Sequence, residues 1–123
     1  MNNLAILIDC PDVYLDILSI FFKYFSINWS NCNYPVFITT NNKTIEAPSG
    51  VSFIKCGDGL DSIQRSKIAL EKIESKYVLI MDCDCFISDT VDNNEIDSLI
   101  NYMIENDAKY IRLWKTINKE HTL

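Results

Sequence analysis

Apolar and polar positions fall in blocks along the chain, and the block lengths separate strands from helices. Residues 4–8 form a short, continuous apolar run ending at Asp9, the pattern of a strand buried on both faces. Pro11 and Asp12 then open a helix, with Asp12 as its N-cap, running to about Ser26. This helix carries Val13, Tyr14, Leu15, Ile17, Leu18, Ile20, Phe21 and Phe22 on nearly every side. A helix so apolar is expected to be buried, or covered by a further segment or subunit. Its aromatic run through Phe21, Phe22, Tyr24 and Phe25 reads as core, and residues 28–33 as a polar loop.

Residues 35–39 predict a second strand with a turn at Asn41-Asn42, and residues 51–55 a third with a turn at Cys56-Gly57-Asp58-Gly59. Asp61 and Gln64 have capping-box spacing and open a helix to about Glu74. Residues 77–81 are a fourth short apolar run, read as another buried strand. Asp92 and Glu95 repeat the capping-box spacing, and Ile96, Leu99, Ile100, Met103 and Ile104 follow as an amphipathic stripe. Residues 110–114 predict a last strand, and a polar tail begins at Lys115.

The order β-α-β-β-α-β-α-β predicts an α/β fold: a Rossmann-like, mainly parallel sheet with helices on both faces, in one domain over residues 1–123. Ligands bind such sheets beyond the carboxyl ends of the strands, where strand order reverses. With the first strand central, the second and third to one side and the fourth to the other, the reversal lies between strands one and four. Asp9 then stands opposite the exit of the fourth strand.

That exit reads Asp82-Cys83-Asp84-Cys85. Carboxylates at i and i+2 of an extended chain point the same way. Like charges held that close repel unless a cation or a shared proton lies between them. Hard oxygen ligands suit Mg²⁺ or Mn²⁺, and Mg²⁺ usually shares its shell with substrate phosphates. The bland alternative is a polar strand exit with Asp84 capping a turn.

Composition narrows the partners. The chain has 123 residues, is 48% hydrophobic and 23% charged, and carries a formal net charge of −6 without a basic block. This argues against nucleic acid and an anionic membrane surface as main partners. An acidic chain that binds an anionic nucleotide needs a metal or local cations to do so. Without a long apolar segment or a basic amino-terminal leader pattern, the chain reads as cytoplasmic. The five cysteines then read as thiols. Cys10, Cys56, Cys83 and Cys85 all fall at predicted strand exits; a zinc site is one reading of them, small apolar fillers the other.

The apolar strand ending in Asp82-Cys83-Asp84, preceded by a helix with Arg65, Ala69 and Leu70, resembles the nucleotide-binding half of GT-A glycosyltransferases, the nucleotide-diphospho-sugar transferase type. The opening strand, polar exit at Asp9-Cys10 and long helix resemble that half too, so the resemblance covers residues 4–114. It implies that Asp82 contacts a sugar nucleotide and that Asp84, with Asp82 beside it, holds Mn²⁺ or Mg²⁺ on the diphosphate. It implies that Ile8, Asp9 and Cys10 line a base and ribose pocket, and that Asp58, Ser62 and Arg65 contact base or phosphate. Read from residue type alone, Asp9 is equally a turn residue, Arg65 a solvated helix residue, and Asp58 and Ser62 ordinary turn and helix-start residues. The implied partners are a nucleotide-diphosphate sugar donor and an acceptor of unknown chemistry, with a homo-oligomer as one way to cover the first helix. Family members are commonly much longer, so the expectation is a truncated, donor-binding half. No residue is assigned as catalytic base, and nothing places His121, the single histidine, in that role.

Two other classes compete. An apolar strand followed by Asp-x-Asp also resembles the first motif of haloacid-dehalogenase-type phosphatases. Phe86, however, stands where that family has Thr or Val, and the motif follows three earlier strands. The third class is a non-catalytic binding module.

Overall fold

The computed structural model describes residues 3–113. The chain divides into two compact units, Met1–Asn93 and Asn94–Leu123. The first holds β1 (Leu4–Asp9), a 3₁₀ turn (Asp12–Tyr14), α1 (Leu15–Asn28), β2 (Val36–Thr40), β3 (Val51–Lys55), α2 (Ser62–Lys72) and β4 (Tyr77–Asp82). α3 (Asn93–Glu105) begins at the end of that unit and makes up most of the described part of the second. Within α3 the predicted stripe holds at Ile100, which is buried, whereas Ile104 is exposed.

The four strands form one sheet in the order β3-β2-β1-β4, and every pairing is parallel. The expected α/β class and the reversal of strand order between β1 and β4 are both present. Chain direction steps from β1 to β2 on one side, then from β3 back across to β4 on the other. Right-handed crossovers therefore put α1 and α2 on opposite faces.

β1 is central, and all six of its residues are buried. Alternation sends Ala5 and Leu7 to one face. There they pack with Ile54 of β3, Ala69 of α2 and Ile73 just beyond it. Small Ala69 lets the helix approach the sheet closely. α2 starts where the sequence predicted: Asp61 accepts from the Gln64 N–H and the Gln64 side chain accepts from the Asp61 N–H, completing the capping box.

Four expectations are corrected. Asp12 does not cap α1. Its carboxylate accepts hydrogen bonds from the backbone N–H groups of Asn41, Asn42 and Lys43 at 3.1–3.2 Å, because those donors stand free where β2 ends. α1 is not buried all round: Leu18 and Phe21 are, while Ile20, Tyr24 and Ile27 are exposed, since a helix on one face of a sheet offers it only one side. β4 is not buried on both faces. Among the described residues it is an edge strand of the sheet, and Ile80 is 55% exposed; an apolar run does not say which side of a sheet it will occupy. Tyr110–Leu113 forms no strand, because alternation alone makes none without a ladder partner. Trp114, His121 and the tail from Lys115 lie outside the described residues.

Two polar features sit at the carboxyl ends of the buried strands. Arg65 of α2 reaches Asp9 with a two-pronged ion pair, Nε to Oδ1 at 2.8 Å and Nη2 to Oδ2 at 2.9 Å. Both residues are more than nine-tenths buried. Thr40, the last residue of β2, is fully buried, and its Oγ1 has no hydrogen-bond partner among the described residues.

Removing one member of a buried pair strands the other charge without compensation. Arg65→Ala is therefore expected to lower unfolding stability by about 3–5 kcal/mol in urea melts. The double change Asp9→Leu with Arg65→Met, which removes both charges, should recover most of that loss. Thr40→Val removes an unpaired buried hydroxyl at nearly constant shape. The same melts should show stability unchanged or raised by about 1 kcal/mol.

Candidate acidic site at the exit of the fourth strand

The parallel register of β1 and β4 ends on the pair Asp9↔Asp82, so the two carboxylates predicted to face each other leave the sheet side by side. Their surroundings differ. Asp9 is neutralised by Arg65 and also accepts from Thr39 Oγ1 at 2.7 Å. The Arg65 guanidinium is anchored further by Nη1 donating to the Leu60 carbonyl at 2.6 Å. The hydrogen bond to Asp9 raises the Arg65 pKa, outweighing burial, so the guanidinium stays charged. Arg65 is thus a buried partner of the sheet, not a solvated helix residue.

Asp82 and Asp84 are exposed, and neither has an ion-pair partner among the described residues. β4 stops at Asp82, and the chain turns at once: the Cys85 N–H donates to the Asp82 carbonyl at 3.1 Å, closing a four-residue turn. The turn, not strand alternation, gathers the side chains. Donor atoms of Asp82, Asp84 and Cys85 all lie within 4.8 Å of one another. Cys85 was not singled out beside the two carboxylates in the sequence, because its nearness follows from the turn. Burial pushes its thiol pKa up, and the charges of Asp84 and Asp82 push it further. Among the described residues this is the group that could hold a metal ion, so the cysteines at the strand exits do not form a four-thiol cluster.

The turn is held from behind. Phe86 stacks on Tyr24 of α1, with ring centroids 5.6 Å apart and planes inclined by 21°. Asn28, the last residue of α1, donates from Nδ2 to the Ile87 carbonyl at 2.6 Å and accepts at its carbonyl from the Val91 N–H at 2.8 Å. Trp29 Nε1 donates to Asn93 Oδ1 at 2.7 Å, and Asn93 Nδ2 donates to the Asn31 carbonyl at 3.1 Å. These bonds fix the segment after the turn along the end of α1. Only the amphipathic character of Tyr24 and Trp29 hinted at them in the sequence.

The remaining predicted residues separate into two places. Ile8 and Cys10 are fully buried. Cys10 and Cys83 occupy the positions just past the last β1–β4 register pair. A side-chain hydrogen bond with Cys83, reinforced by burial, drives the Cys10 pKa strongly upward; the same interaction lowers that of Cys83. Asp58 and Ser62 are exposed on the β3 side. There Asp58 Oδ1 accepts from Asn42 Nδ2 at 2.9 Å, and Asn41 Nδ2 donates to the Gly57 carbonyl at 3.1 Å. Gly57 takes a positive φ of 89°, which this turn requires and other residues rarely adopt. An apolar cavity of about 320 Å³, lined by Phe21, Phe22, Phe25, Tyr34 and Val51 among others, opens at the amino ends of β2 and β3, away from the carboxylates.

Burial acts to raise the Asp12 pKa, but the backbone N–H groups of Lys43, Asn42 and Asn41 outweigh it and hold it below the ordinary value. A carboxylate with a lowered folded pKa stabilises the fold above its unfolded pKa, about 3.9, and that contribution is lost as pH falls through the folded pKa. Urea midpoints should therefore fall more steeply for the wild type than for Asp12→Asn between about pH 5 and about pH 2. Equal slopes would remove Asp12 from the acid response.

No protein-family model, curated protein or solved structure gives a significant match to this chain.

Proposed function

We propose that this chain binds a nucleoside-diphosphate sugar through a divalent metal and forms the donor-binding part of a glycosyltransferase. One observation carries the reading: two exposed, uncompensated carboxylates gathered by a turn at the carboxyl end of β4, beside the point where the order of a parallel sheet reverses. Open α/β sheets take their ligands at that point. The two carboxylates fit a hard divalent cation, since they lie within reach of one ion.

Asp82 and Asp84 would hold the metal, with the Cys85 thiol beside them. When bound, Mn²⁺ or Mg²⁺ supplies positive charge to the diphosphate that leaves the sugar. Asp9 and Arg65 form the floor beside the site, and their mutual pairing keeps a third negative charge off the cluster. Ser62 and Asp58 stand exposed past the exit of β3, at the opposite edge of the same carboxyl-end rim, too far along it to share the metal and available only to a more distant part of a nucleotide. The acceptor and the catalytic base are not assigned to any residue of the chain.

The test is thermal melting of the full chain with a panel of nucleoside diphosphates, each with and without Mn²⁺. One nucleotide together with Mn²⁺ should raise Tm by several degrees, as expected of a ligand that binds only the folded state. Asp84→Ala should abolish that shift while changing ligand-free stability by no more than about 0.5 kcal/mol, because the side chain is exposed. A folded chain that shows no shift with any nucleotide and Mn²⁺ contradicts the proposal.

A further inference from the structure

Beside the acidic turn lies a pair of cysteines with no part in the proposed metal chemistry. Cys10 directly follows β1, and Cys83 directly follows β4. The ladder between those strands runs to Asp9↔Asp82, so Cys10 and Cys83 are the next two residues on neighbouring parallel strands. The backbone continues the ladder: the Cys83 N–H donates to the Asp9 carbonyl at 3.3 Å, while the Cys10 N–H donates to the Thr39 carbonyl at 2.8 Å. The two residues therefore stand side by side where β1 and β4 leave the sheet.

Neighbouring strands lie about 4.8 Å apart, inside the Cα separation of roughly 4.4–6.8 Å that a disulfide spans. In the reduced state the Cys10 thiol donates to the Tyr14 carbonyl at 3.4 Å, a weak bond that it can give up. Both are buried: Cys10 is fully buried and Cys83 is 5% exposed. Cys32 and Cys56 are set apart from them, Cys32 in the loop after α1 and Cys56 at the end of β3. Cys85 is exposed and leans toward Asp84, with Sγ 3.9 Å from Oδ1.

We infer that Cys10 and Cys83 form a reversible dithiol–disulfide couple that clamps the exit of β1 to the turn carrying Asp82 and Asp84. The inference rests on strand register and stands whether or not the turn holds a metal. The oxidant is a small hydroperoxide. The sulfur of Cys83, the more accessible of the two, attacks one peroxide oxygen; the O–O bond breaks, and with hydrogen peroxide one water leaves. The sulfur of Cys10 then attacks the resulting sulfenic acid, its S–O bond breaks, and a second water leaves carrying the Cys10 proton. Two thiols and one hydrogen peroxide thus become one disulfide and two waters. A dithiol reductant reverses the change.

The sequence supplies a clean assay. Cleavage on the amino side of aspartate separates Asp9-Cys10-Pro11 from its flanks and divides Asp82-Cys83 from the segment that begins Asp84-Cys85. The folded full-length chain is treated with hydrogen peroxide, free thiols are blocked with an alkylating agent, and the monomer is cleaved and analysed by mass spectrometry. The expected product is Asp9-Cys10-Pro11 joined to Asp82-Cys83, with two of the five thiols lost, and dithiothreitol should restore both. Cys10→Ala and Cys83→Ala should each abolish the linked peptide, whereas Cys32→Ala should leave it. The wild-type peptide map decides the matter even if a variant fails to fold. Recovery of Cys10 as the alkylated thiol after Cys85 has been oxidised overturns the inference, as does a linkage of Cys83 to Cys85.

Discussion

The contact on which the rest of the first unit depends is the buried ion pair between Asp9 and Arg65. Asp9 ends the central strand, where the backbone must leave the sheet and a polar residue is expected. The same position lies under α2, where a lone carboxylate would be costly. The guanidinium matches both carboxylate oxygens in one plane, and Thr39 and Leu60 satisfy further donor and acceptor positions around it. The pair therefore fixes the rotation and height of α2 on the sheet. Whether such a pair adds net stability over an apolar replacement is a separate matter; what it does here is permit only one seating of the helix.

This pairing also shapes the electrostatics of the neighbouring turn. Asp9 and Asp82 are register partners, and an unpaired Asp9 would put a third negative charge beside Asp82 and Asp84. With Arg65 in place the local excess charge is confined to the two exposed carboxylates. The turn that carries them is held by a different kind of contact, the Phe86–Tyr24 stack and the bonds from Asn28 and Trp29. A buried charge pair thus sets the floor, and an aromatic and polar strap along α1 sets the turn above it.

Among the described residues the sheet has an open edge as well as a candidate site. There β4 pairs with β1 alone, and its apolar run is half open to solvent. The exposed side of α1, with Ile20, Tyr24 and Ile27, adds a second uncovered apolar region. In the sequence these runs looked like interior, because hydrophobicity records what a segment prefers and not how many neighbours it finds.

Local chemistry made much of the fold legible. The four strands, the capping box at Asp61 and Gln64, and the parallel order with β1 central were all readable, because run length, cap residues and crossover handedness act over short stretches of chain. The candidate carboxylates Asp82 and Asp84 were readable as a pair, though for the wrong local reason: a turn brings them together, not an extended chain. Long-range pairing was not readable. Nothing within a few residues of Arg65 announces Asp9, nothing near Asp12 announces the free N–H groups after β2, and nothing near Cys83 announces Cys10. The sequence alone determined which segments become strands and helices and where acidic and thiol groups leave them. The tertiary structure alone decided which of those groups neutralise, cap or touch one another, because such contacts are set by strand register and helix seating across separations of 29 to 73 residues.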